Sequence, residues 1–262
     1  GVITSASIGD LFIAGIVPGL LMSFLMMGTV FLISQVRGYA GGNAFHVRAL
    51  AVSIWNGKYS LMMPVIVLGG IYTGMVTPVE AAVVAVLYAL VVAMLVKRTL
   101  TFRGLWDCFT ESSTVCGGLT IIMGTAVFFG EYMTMNMIPQ SLAAFIIEFV
   151  SSKYTLLIII CIFLLIIGTF METLATTMIL TPILLPVITT FDIDVIQFGV
   201  IMVVTNAIGM LTPPLGLNLF VACNLTGLSL EQVSSQVIPF ICALILGLAL
   251  IAFIPWLSLV LL

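Results

Sequence analysis

The segment Asn206-Ala-Ile-Gly-Met-Leu-Thr-Pro-Pro-Leu-Gly-Leu-Asn218 restricts this chain more than any other stretch. It interrupts a run apolar enough to cross a membrane, with Val200-Ile-Met-Val-Val204 before it and Leu219-Phe-Val-Ala222 after it. Proline has no N–H for the helical ladder, so the two prolines free carbonyls that must find another partner. Lipid offers none, and non-helical backbone persists at bilayer depth only inside protein or beside a polar cavity. A helix broken near the midplane, with polar side chains at the break, is how secondary transporters build ion and substrate sites. The competing reading is a packing kink. One proline would serve for that, whereas this break gathers two prolines, two glycines, a threonine and two asparagines.

Composition places the chain in a bilayer. Hydrophobic residues make up 62%, charged residues 6%, and mean hydropathy is +1.36, against about 25% charged in a soluble domain. The apolar runs are about 20 residues long, which specifies membrane helices rather than strands of about ten alternating residues. The expected fold class is therefore an all-α integral membrane protein. There is no basic stripe, which excludes a nucleic-acid partner. Cys108, Cys116, Cys161, Cys223 and Cys242 have no metal or redox spacing and read as small buried apolar residues. With one histidine, His46, and neither a His-Glu-x-x-His nor a paired-aspartate motif, the chain is not expected to be an enzyme. It lacks the repeated polar filter or charged ring of a channel. Its start at Gly1, with no initiator methionine or signal peptide, suggests a segment of a longer polypeptide.

The expected spans are 11–35, 60–76 with interruptions at Gly69-Gly70 and Gly74, 79–96, 114–138, 154–167, an interrupted 168–190, the broken 195–222, and 237–262. Residues 37–58 read as a polar connection and 101–113 as an interfacial amphipathic helix, with Phe102, Leu105, Trp106 and Phe109 at helical spacing. All cations but Lys153 fall in 37–58 and 97–103, two stretches separated by two spans. The positive-inside rule puts both on the cytoplasmic side. Ser7-Ile-Gly-Asp-Leu-Phe-Ile-Ala-Gly-Ile-Val-Pro18 echoes Ser229-Leu-Glu-Gln-Val-Ser-Ser-Gln-Val-Ile-Pro239 with one residue of slippage, as an internal repeat would. The expected domains are 1–113, the end of a first repeat with scaffold spans and the interfacial helix, and 114–262, a second repeat with a re-entrant hairpin at about 154–190 and a broken helix at about 195–226.

Glu172 follows Gly168-Thr-Phe-Met and precedes Thr173-Leu-Ala-Thr-Thr177. An acid inside a membrane segment is costly and marks a functional candidate. The threonines beside it can cap a half-helix running to Pro186, which makes 168–186 a re-entrant hairpin tip; alternatively their hydroxyls bond back along a continuous helix. Exposed amides at a half-helix start attract anions, and carbonyls at unwound ends attract cations. Threonine and asparagine oxygens without a carboxylate cluster suit a monovalent cation such as Na⁺ better than Ca²⁺ or a transition metal. Glu131, beside Gly130, reads equally as a helix break or an interfacial residue; Glu80 reads as a structural acid opening the helix after Thr77-Pro78.

At these residues the chain resembles the large membrane subunit of the tripartite ATP-independent periplasmic (TRAP) transporters, in its C-terminal part. The resemblance rests on Gly69-Gly-Ile-Tyr-Thr-Gly-Met-Val-Thr-Pro-Val-Glu-Ala-Ala82, on Gly168-Thr-Phe-Met-Glu-Thr-Leu-Ala175 with Thr181-Pro-Ile-Leu-Leu-Pro186, and on Phe198-Gly-Val-Ile-Met-Val-Val204 leading into Leu211-Thr-Pro-Pro-Leu-Gly-Leu-Asn-Leu-Phe220. It implies an inverted-repeat, elevator-type fold with re-entrant hairpins, placed in the bacterial inner membrane. It also implies import of an organic acid such as a C4-dicarboxylate or sialic acid, coupled to Na⁺ and dependent on a periplasmic substrate-binding protein. The expected partners are that protein, a small four-helix membrane subunit (separate or fused), the N-terminal repeat of the same subunit and the lipid bilayer, with no cofactor beyond the coupling ion. Carried over by position, the Na⁺ contacts are Gly168, Thr169, Thr173, Gly209 and Thr212, partly through backbone carbonyls. The substrate-pocket candidates are Glu172, Thr176, Asn206, Pro213, Pro214, Gly216 and Asn218. Proton coupling, or transport without a binding protein, is the alternative.

Overall fold

Serine and threonine caps set where several helices of this chain begin. The computed structural model describes residues 1, 4–39, 46–138, 141, 145, 150 and 152–262, and those residues form helices and turns with no strand. Six of their helices are long and apolar enough to cross a membrane. The chain divides into two compact units, Gly1–Arg37 with Leu119–Leu262, and Gly38–Gly118. Compactness thus groups residues 1–37 with the C-terminal half, whereas the expected repeat boundary fell after 113.

In the first unit, α1 (Ile8–Ala14) starts where the Ser7 hydroxyl accepts the Asp10 N–H and stops at Gly15. It is followed by α2 (Ile16–Arg37), with Pro18 in its first turn, where no N–H is required. The other copy of the echo begins in the same way. Ser229 and Gln232 exchange side-chain and backbone bonds in a capping box, and α10 (Leu230–Phe253) runs from there through Pro239. This last long helix therefore begins before the expected Val237. It packs on α2 so closely that a Cβ on Gly247 would stand 2.5 Å from Met22 Sδ.

Between these elements lie α6 (Lys153–Gly168), α7 (Thr173–Thr190), α8 (Val195–Gly209), α9 (Leu217–Thr226) and the short α11 (Trp256–Leu259). Helix α8 is the centre, touching α1, α6, α7, α10 and α11. Its sequence is apolar all round, the pattern of a helix surrounded by others, and Phe198, Ile201, Met202 and Ile208 are buried. Asp194 caps it by accepting the Ile196 and Gln197 N–H groups. Lys153 Nζ donates to the Asp192 carbonyl at 2.8 Å, closing the open end of the α6–α7 hairpin.

The second unit is an antiparallel pair. Helix α3 (Val47–Tyr72) and helix α4 (Pro78–Val91, continued by a π turn Val92–Val96) are joined at Thr77, whose capping box with Glu80 confirms the structural reading of that acid. The Tyr88 hydroxyl donates to the Tyr59 carbonyl at 2.8 Å and sets the register. Helix α5 (Phe102–Met135) follows and runs across the unit boundary.

Three expectations change here. The connection 37–58 is mostly helix, since α3 starts at Val47 and carries Arg48 and Lys58; residues 40–45, with the Gly41-Gly42-Asn43 part of that reading, lie outside the described residues. Helix α3 passes through Gly69-Gly70 unbroken, because glycine costs a helix only about 1 kcal/mol and does not stop it. The segment 101–113 is no separate element. No proline punctuates Ser113-Thr114, and the Thr110 and Thr114 hydroxyls bond back four residues, so α5 is continuous through Glu131, which removes the helix-break alternative for that acid.

Candidate functional site

The end of α6 and the end of α8 meet at their backbones. A Cβ on Gly168 would stand 3.3 Å from the Cα atoms of Asn206 and Gly209, and one on Gly209 would stand 2.7 Å from the Cα and carbonyl carbon of Gly168. Only glycine fits such an approach. The hairpin tip begins here. The Thr169 N–H and hydroxyl both turn back to the Ile166 carbonyl, and the Phe170 and Met171 N–H groups share that of Ile167. Glu172, in extended conformation, then starts α7, but its carboxylate makes no capping bond, and it is exposed. The threonines do not cap either. Thr176 and Thr177 donate back to the Glu172 and Thr173 carbonyls, which is the alternative reading of this threonine-rich stretch. A helix start nevertheless stands at Thr173, so the first amides of α7 have no side-chain cap.

The break after Gly209 stabilises itself. Pro213 and Pro214 cannot donate to the carbonyls of Gly209 and Met210, four residues earlier. Those carbonyls are met instead by the Thr212 N–H at 2.8 Å and the Asn218 N–H at 3.1 Å. Thr212 also donates its hydroxyl to the Ile208 carbonyl at 2.7 Å. The Leu211 N–H, which a continued helix would send to Ala207, goes to Ile208. Gly216 lies where a Cβ would come within 2.9 Å of the Met210 carbonyl oxygen. The expectation that the break leaves its carbonyls free is therefore corrected: much of their capacity is taken up within the turn, although a carbonyl has two lone pairs and accepts again.

The structure brings Gly168, Thr169, Asn206 and Gly209 into one crossing, all buried. Thr173 reaches the break through its hydroxyl, 3.3 Å from Met210 Sδ. Sequence reasoning missed Met210, because a methionine in so apolar a chain gives no signal of its own. Thr212 and Gly216 sit in the turn after Gly209, Thr176 is fully buried behind the tip, and Pro214, Asn218 and Glu172 are exposed with no side-chain bond to the crossing. Asn206 is the outstanding feature. It is 0% exposed, and neither atom of its amide has a hydrogen-bond partner. A buried amide is costly to leave unpaired. The backbone that carries this orphan lies against Gly168, close to where helices α6 and α8 end, each with the negative pole of its dipole. That combination of an unused amide oxygen, hydroxyl lone pairs and helix C-termini favours a cation, while the uncapped start of α7 beside it favours an anion. Among the described residues no group of three or more His, Cys, Asp or Glu side chains can hold a metal ion.

Comparison with known proteins gives a family match over nearly the whole chain. Residues 1–257 match the family described as "Tripartite ATP-independent periplasmic transporter, DctM component". The chain is 41% identical over 97% of its length to the isethionate TRAP transporter permease protein DctMQ of Oleidesulfovibrio alaskensis, covering 40% of that protein. It is 38% identical over 98% of its length to the C4-dicarboxylate TRAP transporter large permease protein DctM of Pseudomonas aeruginosa, covering 60% of it. To the sialic acid TRAP transporter large permease protein SiaM of Vibrio cholerae it is 36% identical over its full length, covering 61%. The chain thus spans 40% to 61% of the length of these relatives.

Proposed function

The chain belongs to the DctM-component family of tripartite ATP-independent periplasmic transporters, and from that premise we propose that it carries the second-repeat half of a sodium-coupled importer of a small organic acid. It is a multi-pass membrane protein and a transporter component, not an enzyme. In the proposed reading the bacterial inner membrane holds it, a periplasmic substrate-binding protein delivers the acid, and a small membrane subunit braces it. The substrates in the relatives' names are all organic acids.

Na⁺ would bind at the crossing of Gly168, Thr169 and Thr173 with Gly209 and Thr212, and the acid would lie beside the uncapped start of α7. The observation that carries this reading is the buried, unpartnered Asn206 amide at the point where the hairpin tip meets the broken helix. A bound cation at the two helix C-termini would attract the acid electrostatically, so ion and substrate would reinforce each other's binding. The α6–α7 hairpin, re-entrant in this reading, would move with α8 as one transport unit in an elevator cycle.

The test is thermal unfolding of the purified full-length protein in NaCl against KCl and choline chloride at matched ionic strength. An ion at 100 times its dissociation constant stabilises by about 2.7 kcal/mol. The expected result is a Na⁺-specific rise in melting temperature that Thr212→Ala cuts by about half. Equal melting in the three salts, with uptake that follows a pH gradient, would replace sodium by proton coupling.

A further inference from the structure

The second unit gathers positive charge at one end. The Tyr88–Tyr59 bond fixes α3 and α4 as an antiparallel pair. Arg48 lies eleven residues before Tyr59, and Lys97 nine after Tyr88, so at 1.5 Å per residue both stand roughly 15 Å from that bond, level with each other at the open end of the pair. Arg98 follows, held by a turn in which the Thr99 and Leu100 N–H groups converge on the Ala93 carbonyl, and Arg103 opens α5 behind the Thr101 cap. None of Arg48, Lys97, Arg98 and Arg103 makes an ion pair or a side-chain hydrogen bond among the described residues.

Two of these cations occupy places that helix electrostatics disfavours. Arg48 and Arg103 lie in the first turns of α3 and α5, where neither helix has an acid. A cation there repels the positive pole of its helix, so this end sets two helix N-termini beside four cations, against the single C-terminus of α4 at Val96. The nearest acids are Asp107 and Glu111, one and two turns further along α5, and Glu80 is at the opposite end of the pair.

The same end carries the marks of a membrane surface. Lys58 lies about 12 Å deeper than Lys97 by helical rise, and its ammonium sits 3.9 Å from the Trp55 ring centroid, bent back toward the open end. Lysine near a span's end reaches for the interface in this way, and tryptophan marks that level. Helix α5 has 34 residues, about 51 Å of helix against a hydrocarbon core of about 30 Å. Part of it must stand in the headgroup layer, and its first turns present Phe102, Trp106 and Phe109 exposed. Aromatic residues beside unpaired cations fit a leaflet rich in negative headgroups.

We propose that the open end of the α3–α4 pair, through Arg48, Lys97, Arg98 and Arg103, binds the phosphate of anionic phospholipid headgroups. The inference needs only the membrane placement of the chain and is independent of its ion coupling. Anionic lipid there would anchor this unit in the leaflet while other parts of the protein move.

The test uses delipidated full-length protein incubated with equimolar phosphatidylglycerol and phosphatidylcholine, with retained lipid quantified by mass spectrometry. Phosphatidylglycerol is expected to be retained preferentially, with a preference that falls as NaCl rises. Arg48→Gln/Lys97→Gln/Arg98→Gln should lower that preference by about tenfold or more, while Arg48→Lys/Lys97→Arg/Arg98→Lys keeps it. Equal retention of the two lipids, or a preference in the native protein that ignores salt, overturns the proposal even if the triple variant does not fold. A triple variant that keeps its lipid but loses a protein subunit overturns it too, and assigns the surface to that subunit.

Discussion

Gly168 and Gly209 are locked together at the backbone, but not equally: a Cβ on Gly209 would stand 2.7 Å from two backbone atoms of Gly168, whereas one on Gly168 would stand 3.3 Å from its nearest neighbours. Overpacking a tight contact costs about 1–3 kcal/mol, and these neighbours are backbone with no rotamer to yield. Gly209→Ala is therefore expected to lower the melting temperature of the full-length protein more than Gly168→Ala. It should also weaken the Na⁺ dependence of uptake, because it pushes the tip away from the break. Equal effects of the two variants would mean that the helices slide to accommodate the methyl group.

Thr212 tests the break without altering its backbone. Its hydroxyl donates to Ile208 and keeps its lone pairs free for an ion. Thr212→Ala is expected to raise the Na⁺ concentration for half-maximal uptake by roughly tenfold, the effect of losing about 1.4 kcal/mol, and Thr212→Ser to restore most of it. A variant with unchanged Na⁺ dependence would remove Thr212 from the site.

Asn206 distinguishes an ion or water ligand from a packing residue. With both amide atoms unpartnered and buried, Asn206→Leu removes an unpaired group of similar volume, which is neutral or stabilising when nothing else binds there. The expected outcome in the full-length protein is higher stability in choline chloride together with loss of the Na⁺ response. A loss of stability in both salts would show the amide bonded in the intact protein.

How much could be read from the sequence divides along a physical line. Breaks were legible because proline, glycine and a polar cap act locally: Gly168, the Thr77–Glu80 box and the 210–216 interruption all fall where those residues stand. The continuity of α5 was not, since an amphipathic helix followed by an apolar one has the same pattern whether or not a turn separates them. Nor was the placement of Arg48 and Lys58 inside α3, because a cation can stand in a helix at the membrane surface and its polarity alone suggested a loop. The crossing itself depends on tertiary contact. Glycine at 168 and 209 permits it, but only the packing of α6 on α8 pairs those two positions and leaves Asn206 without a partner. Met210 and Gln197 were invisible for the same reason.

Gln197 supplies the last prediction. It is fully buried, and its Nε2 donates to the Ala252 carbonyl at 3.1 Å and the Ile251 carbonyl at 3.4 Å. In an uninterrupted helix the Ile251 carbonyl would receive the N–H of residue 255, but that residue is Pro255 and has none. The side chain of Gln197 thus replaces a backbone donor and ties the end of α10 to α8. Gln197→Leu leaves those carbonyls unpaired and is expected to cost about 1–3 kcal/mol. Pro255→Ala gives the N–H back, so the double variant should lose less stability than the sum of the two single variants, a coupling that thermal unfolding of the four proteins measures. Strict additivity would mean that the two groups do not serve the same carbonyl.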